Sequence, residues 1–370
     1  MRVSIHHRCA DFNSYRAARV KSLFNVDSGA DVYIDADLPL DARPWQIGVI
    51  VGPSGTGKTS IGRRLGALYA PAWPRDRPIV DAIAPDGSFD DVTAALASVG
   101  LGTVPAWLRP YAALSNGEQF RANLARVICE APPLVVIDEF SSVVDRQIAQ
   151  IGAGAFAKSW RRLPSRPQAV LLSCHYDILD WLTPDWVFDT ASGTFQWGWP
   201  RRRPTIDLEI YQCRQADWAL FAPHHYLDLP PMIAATHYMG LVDGQPVAHI
   251  AFSTRPGLTE ARACRLVVMP EWQGAGVGMR FLNGCCALWL AGQNRYGLPL
   301  RTLFHTSHPG LAAALRRDAR WTQVSGTLCG SNKGRSRDTL RKSGAGSGFG
   351  GHFRAVQGFR YLGEEDACTS

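Results

Sequence analysis

The sequence has no long apolar run. No stretch reaches the ~18–20 consecutive apolar residues of a membrane-crossing helix, which argues against a protein that partners a bilayer. The opening residues MRVSIHHRCADFNSYR lack the apolar core of a secretory leader. Nine cysteines are scattered and none forms a Cys-x-x-Cys pair, so neither a disulfide framework nor a zinc site is indicated. A reducing cytoplasm is the expected setting. Charged residues make up only 19% of the chain against 46% hydrophobic, a globular and soluble balance. At 370 residues the chain exceeds what one ordinary core fills, so two domains are expected.

What charge there is falls unevenly. The net value is +7, and between Leu311 and Leu362 ten basic residues face two acidic ones, Asp318 and Asp338. Arg201-Arg202-Arg203 forms a second cluster. Such patches attract polyanions such as nucleic acid, or serve as a solvated linker and tail. Composition shifts at WGWPRRRPT, where Pro and Arg interrupt the pattern. The domains are therefore expected at 1–200 and 204–370. In the first, short apolar strands (QIGVIVG, LVVIDEF, AVLLSCH) alternate with helical stretches, the pattern of an α/β fold on a parallel sheet. The second reads as a mixed α/β domain of successive strands interrupted by helices near Gly278 and Leu311. The Gly/Ser/Lys/Arg-rich stretch 325–351 reads as a mobile insertion.

Two glycine-rich loops stand out. The first, Gly52-Pro53-Ser54-Gly55-Thr56-Gly57-Lys58-Thr59-Ser60, follows a strand and opens a helix, as a phosphate-binding P-loop must. Its glycines free backbone N–H groups to face phosphate oxygens. Lys58 can reach the β/γ-phosphates of ATP and Thr59 can ligate Mg²⁺. Leu134–Ile137 is an apolar strand ending in Asp138 and Glu139. Asp138 is placed to hold the Mg²⁺ and Glu139 to polarise the attacking water.

Between these motifs lies Leu114-Ser115-Asn116-Gly117-Glu118-Gln119, which resembles the LSGGQ signature of ABC-type ATPases, with Asn and Glu at two positions. Ser141–Asp145 is similar to that family's D-loop, and His175 follows a strand where the family has its switch histidine. The resemblance implies an ATP-dependent homodimer in which Ser115 and Gly117 of one copy act on nucleotide held by the other. Two departures favour an ABC ATPase working on nucleic acid or as a switch over a transporter subunit. Lys58 and Ser115 stand only 57 positions apart, and Ser60–Leu114 contains no glutamine, so the family's Q-loop residue is missing.

The second loop, Gln273-Gly274-Ala275-Gly276-Val277-Gly278, has no Lys-Ser/Thr after its glycines, so it does not suit a triphosphate. Nor does it have dinucleotide-fingerprint spacing. It resembles motif A of the GNAT acyltransferases, over roughly Pro204 to Gly363. That implies a GNAT-like fold in which Gln273, Gly274, Gly276 and Gly278 hold the pyrophosphate of acetyl-CoA. Val268, on the preceding strand, would face the thioester carbonyl. The base and acid are less well marked. His225 or His308 could be the base and Tyr226 the acid, or the histidines are ordinary packed ones. HHYL and SHPGL are similar to phage Mom-type DNA-modification proteins. The combined expectation is an ATPase coupled to an acyltransferase that modifies a nucleic acid, DNA above all. An acetyltransferase for a small amine or protein, and a non-catalytic ATP-gated nucleic-acid-binding module, stay open.

Overall fold

The computed structural model describes residues 1–8, 10–12, 14–24, 31–225, 232, 234–327 and 356–364. The chain forms two compact units. One comprises Met1–Ala72 and Glu130–Pro204, the other Trp73–Cys129 and Thr205–Ser370. The break at Pro204/Thr205 falls where composition shifts. The stretch Trp73–Cys129, expected within the first domain, instead clusters with the second.

The first unit opens with β1 (Arg2–Arg8), α1 (Tyr15–Phe24), β2 (Asp31–Asp37), β3 (Ile47–Val51) and α2 (Lys58–Leu65). The chain then enters the second unit for four helices: α3 (Ile79–Ala82), α4 (Phe89–Ser98), α5 (Val104–Trp107) and α6 (Asn116–Glu130). It returns through β4 (Leu134–Ile137), α7 (Arg146–Trp160), β5 (Gln168–Ser173), α8 (Leu179–Leu182), β6 (Trp186–Asp189) and β7 (Thr194–Trp197). The sheet of the first unit has the order β4-β5-β3-β6-β7. All its pairings are parallel except the edge pair β6/β7. Every residue of β3 is buried, which is why QIGVIVG reads as an unbroken apolar run rather than an alternation. Helix α2 lies against this sheet through Gly62, where a Cβ would come within 2.6 Å of Leu172 Cδ1. The core beneath it joins Ile50, Ile61, Val136, Val170, Leu172, Trp186 and Phe188 to Val3 and Ile5 of the antiparallel β1/β2 pair.

The second unit continues with β8 (Glu209–Cys213), α9 (Trp218–Phe221), β9 (Thr236–Val242), β10 (Gln245–Thr254) and β11 (Ala261–Val268). After these come α10 (Val277–Leu290), β12 (Thr302–Thr306), α11 (Pro309–Arg317), β13 (Trp321–Thr327) and β14 (Val356–Tyr361). Its seven strands run in the order β13-β14-β12-β11-β10-β9-β8. The pairing is antiparallel throughout except β11 with β12. That parallel pair is joined only from Ala261↔Thr302 to Ala263↔Phe304. Past it, β11 carries Arg265 at φ 58, opposite a register shift between His249 and Ala251 of β10. A β-bulge bends its strand, so β11 and β12 separate toward the glycine loop. Helix α10 buries Val277, Phe281, Leu282, Cys285, Cys286 and Trp289 against the sheet. Of the expected mobile insertion 325–351, Ser325–Thr327 complete β13, and the remainder lies outside the described residues.

Candidate functional site

Strand β3 delivers the chain into the P-loop, whose path only glycine accommodates at two ends. Gly52 has φ 148, and a Cβ there would come within 2.0 Å of Thr190 Oγ1. Gly57 has φ 88 and caps α2. Gly55, at φ 82, has open space where a Cβ would be. The loop is braced by Thr56, whose hydroxyl donates to Pro53 O at 2.9 Å and lies 2.6 Å from Thr190 Oγ1. Pro53 and Ser54 are exposed on the loop. Thr190 had no signal in the sequence, because its role depends on a strand end more than a hundred residues away in the chain.

Lys58 is buried and turns back across the loop, donating to Gly52 O at 2.8 Å and Pro53 O at 2.7 Å. Its ammonium is thereby held over the space the backbone encloses. The Thr59 hydroxyl lies 3.3 Å from Asp138 Oδ1, so strand β4 brings together the two residues expected from the sequence to hold Mg²⁺. A hydroxyl beside a carboxylate, with a lysine and a helix N-terminus next to them, is a donor set fitted to a Mg²⁺–triphosphate. Glu139 follows directly, exposed and at φ 49, its backbone N–H donating to Asp138 Oδ1 at 2.9 Å. Ser60 points elsewhere, its hydroxyl 2.8 Å from His7 Nε2. His175 follows β5, its backbone N–H bonded to Ser173 Oγ at 3.1 Å. Beyond it, Asp177 pairs with Arg146 at the start of α7. Arg146 and Gln150 hold the Asp177 carboxyl below its ordinary range against the opposing effect of burial.

The residues that resemble the ABC signature, Ser115 and Gly117, belong to the second unit. Ser115 and Glu118 form a reciprocal capping box at the start of α6. The Ser115 N–H donates to Glu118 Oε2 at 2.9 Å and the Glu118 N–H to Ser115 Oγ at 3.3 Å. Ser115 is exposed and Gly117 half-buried. Gln119 ties the approach down by donating to Tyr111 O and Leu114 O.

The second glycine loop divides in two. Gly276 has φ 82, open space at its Cβ position, and caps the 14-residue α10 without a side-chain bond, an arrangement a phosphate fits. Gly278 abuts Val268, where a Cβ would sit 3.1 Å from Val268 Cγ2. The first half is committed inside the protein. Gln273 Nε2 donates to Val268 O at 3.0 Å, and its Oε1 accepts from Gly102 N–H at 3.1 Å. A Cβ on Gly274 would come within 3.0 Å of Gly100 Cα. Both ends of the Gln273 side-chain amide are thus bonded within the protein, and its backbone N–H donates to Pro270 O at 3.3 Å.

His308 is likewise engaged on both ring nitrogens. Nδ1 accepts from Leu311 N–H at 3.2 Å, capping α11, and Nε2 lies 3.1 Å from Gly102 O. Its ring stands edge-on to Trp107, and burial pushes its pKa down. In the described structure it serves as a helix cap and a brace. His225 packs edge-on against Trp218. Tyr226 lies outside the described residues. Sequence reasoning missed a buried histidine pair near the bulge, with His237 Nδ1 3.1 Å from His249 Nε2. Burial, and next the neighbouring His237, lower the His249 pKa to about 4. Register across β9 and β10 creates this pair, which no local spacing announces.

No family model matches the chain. The zinc import ATP-binding protein ZnuC from two strains of Pseudomonas aeruginosa is 32% identical over 154 residues, covering 35% of this chain and 55% of the relative. ZnuC of Cereibacter sphaeroides is 29% identical over 167 residues, covering 39% and 66%. The cytochrome c biogenesis ATP-binding export protein CcmA of Ruegeria pomeroyi is 27% identical over 163 residues, covering 38% and 77%. The chain thus spans about half the length of the first curated relatives it matches. A solved bacterial Atm1-family ABC exporter with ATP bound aligns at a TM-score of 0.32 and 18% identity, over 51% of this chain and 37% of its own, too low a likeness to bear on the fold. Among the described residues no helix is long and apolar enough to cross a membrane. The matched segment is similar to the ATP-binding proteins ZnuC and CcmA over about a third of this chain.

Proposed function

We propose that the chain couples an ABC-type ATPase module to a GNAT-like acyltransferase acting on a nucleic acid, with DNA as the substrate. ATP joins two copies, the P-loop of one meeting Ser115 and Gly117 of the other. Lys58 and the loop amides hold the phosphates, Thr59 and Asp138 hold the Mg²⁺, Glu139 orients the attacking water, and His175 senses the γ-phosphate. In the second unit, Gly276 and Gly278 hold a pyrophosphate at the start of α10. Val268 lines the cleft between β11 and β12. Acetyl-CoA, when bound, supplies the acyl group as a thioester. His225 takes the proton that the acceptor amine loses, with Tyr226 as the acid.

The observation that carries the transferase half is the parting of β11 from β12 beyond Ala263↔Phe304, at the bulge on Arg265, directly before the glycine loop. The basic excess of Leu311–Leu362 supports a polyanionic substrate. Unstacking a base costs a few kcal/mol, a task an ATP-driven dimer could perform. Mass spectrometry of nucleosides from DNA and RNA of cells with and without the gene tests this reading. A modified deoxynucleoside that disappears with the gene is expected, and identical profiles in both nucleic acids would exclude it. The engagement of Gln273, whose backbone N–H donates to Pro270 O and whose side chain is bonded at both ends, favours a second reading, an ATP-gated nucleic-acid-binding module that does not use CoA. Calorimetry with CoA separates the two, since micromolar binding rules out the second.

A further inference from the structure

Within the second unit, the helices that lead up to the signature motif are docked on the glycine loop. The turn Val99–Gly102, just after α4, lies against Gln273 and Gly274. A Cβ on Gly100, which has φ 83, would come within 2.1 Å of Gln273 O, so only glycine permits the approach. Gly102 uses both backbone groups there. Its N–H donates to Gln273 Oε1, and its carbonyl faces His308 Nε2. Alongside, α4 meets α11 so closely that a Cβ on Gly310 would reach 2.4 Å from Ala97 Cβ.

The rivet of this junction is Arg121. It sits on α6, the helix that Ser115 caps, and is only 4% exposed. Its Nη1 donates to Gly100 O and to Pro270 O, each at 2.7 Å, and Nη2 reaches Glu271 O at 3.5 Å. All three acceptors are carbonyls rather than carboxylates, and Nε is buried with no partner among the described residues. Burial pulls the guanidinium pKa down to about 10, against the opposing charges of Glu271 and Glu118. A buried cation bonded to carbonyls is costly unless its geometry is kept. Pro270 and Glu271 form the turn that feeds directly into Gln273–Gly278. One rigid helix therefore carries the signature residues at its first turn and, one to two turns on, a group that grips the entrance of the second loop.

We propose that the Gln273–Gly278 loop is the seat of the signature-bearing helices, so that the nucleotide state sensed at Ser115 sets the conformation of the second loop through Arg121 and the Val99–Gly102 turn. The proposal rests on the reading that ATP brings two modules together on their signature motifs. It assigns the committed half of the loop, Gln273 and Gly274, to coupling, and leaves the open half, from Gly276 onward, to a ligand. Movement of α6 cannot leave Pro270–Glu271 in place without breaking two bonds to a buried charge.

Hydrogen–deuterium exchange on the full chain tests it, in the Glu139→Gln background with ATP and Mg²⁺, with light scattering run on the same samples. Exchange of peptides spanning 268–280 is expected to change at least threefold when the ATP dimer forms. Adding Arg121→Met should reduce that change to less than half while the dimer still forms. Gln273→Ala, which breaks the seat from the other side, serves the same purpose if Arg121→Met does not fold. A dimer whose loop exchanges at the unliganded rate overturns the coupling alone, as does an undiminished response in both variants. Failure to dimerise overturns the coupling together with the reading on which it rests.

Discussion

Gly52 shows how narrowly a single position can be constrained. At φ 148 its backbone lies where side chains are strained, and the space a Cβ needs is filled by Thr190 Oγ1. Such strain costs on the order of 1–3 kcal/mol, and its relief would swing the loop amides off the phosphates. Gly52→Ala is expected to weaken ATP at least tenfold in a fluorescent-nucleotide titration; an unchanged affinity would mean that these amides do not bind phosphate. His249 makes a different kind of prediction. Its folded pKa of about 4 lies below its ordinary 6.5, because burial and then His237 oppose charging more than a backbone hydrogen bond at Arg265 favours it, with the charges of Arg265 and Asp217 adding smaller opposed effects. The native state therefore binds fewer protons than the unfolded chain between those values. The stability it contributes is complete above about pH 6.5 and is lost as pH falls toward 4. Denaturant melts of His249→Gln across that window should show a slope shallower by up to about 1.4 kcal/mol per pH unit. Parallel slopes would show that the pair is charged in the native state or does not form.

Helix α6 links two kinds of information that the sequence carries unequally. Its beginning is local: Ser-x-x-Glu is a capping box whether or not the helix touches anything else. Losing a serine cap costs about 1 kcal/mol. Ser115→Ala is therefore expected to leave the protein folded, with a melting temperature only a few degrees lower, yet to reduce ATP-dependent dimerisation severely, because the same hydroxyl is assigned to nucleotide on the partner copy. A variant that dimerises normally would leave Ser115 with a capping role only. The P-loop and the strand ending in Asp138 were legible for the same reason, since backbone conformation within a few residues determines them. What lies on the far side of α6 was not. Arg121 bonds to carbonyls at 100, 270 and 271, and a carbonyl belongs to every residue, so no spacing or residue type marks the partner. The association of Trp73–Cys129 with the second unit was hidden on that account. The His237–His249 pair arises from the register of two strands and was equally silent. Strand β13 was passed over because Trp321–Thr327 runs into a glycine- and serine-rich stretch that reads as loop.

For the molecule as a whole, the proposed pairing of two copies turns on whether binding of ATP or its hydrolysis governs it. Glu139 is exposed beside Asp138, and its backbone is anchored by the Asp138 carboxylate, so its side chain can be altered without disturbing Thr59 and Asp138, the proposed magnesium ligands. Glutamine keeps its size but cannot polarise water as a carboxylate does. If ATP closes the dimer and hydrolysis reopens it, Glu139→Gln should run as a particle of twice the 40.5 kDa chain mass in light scattering with ATP and Mg²⁺. It should return to the single-chain mass when Mg²⁺ is chelated, because Thr59 and Asp138 then have no ion to share. Lys58→Ala in the same background should stay monomeric, since the ammonium that spans Gly52 and Pro53 is the group expected to draw the phosphates into the loop. A Glu139→Gln protein that remains at 40.5 kDa with ATP would leave Ser115 and Gly117 without a nucleotide to close over. It would then be binding within one chain, not pairing, that any nucleotide control of the second unit has to use.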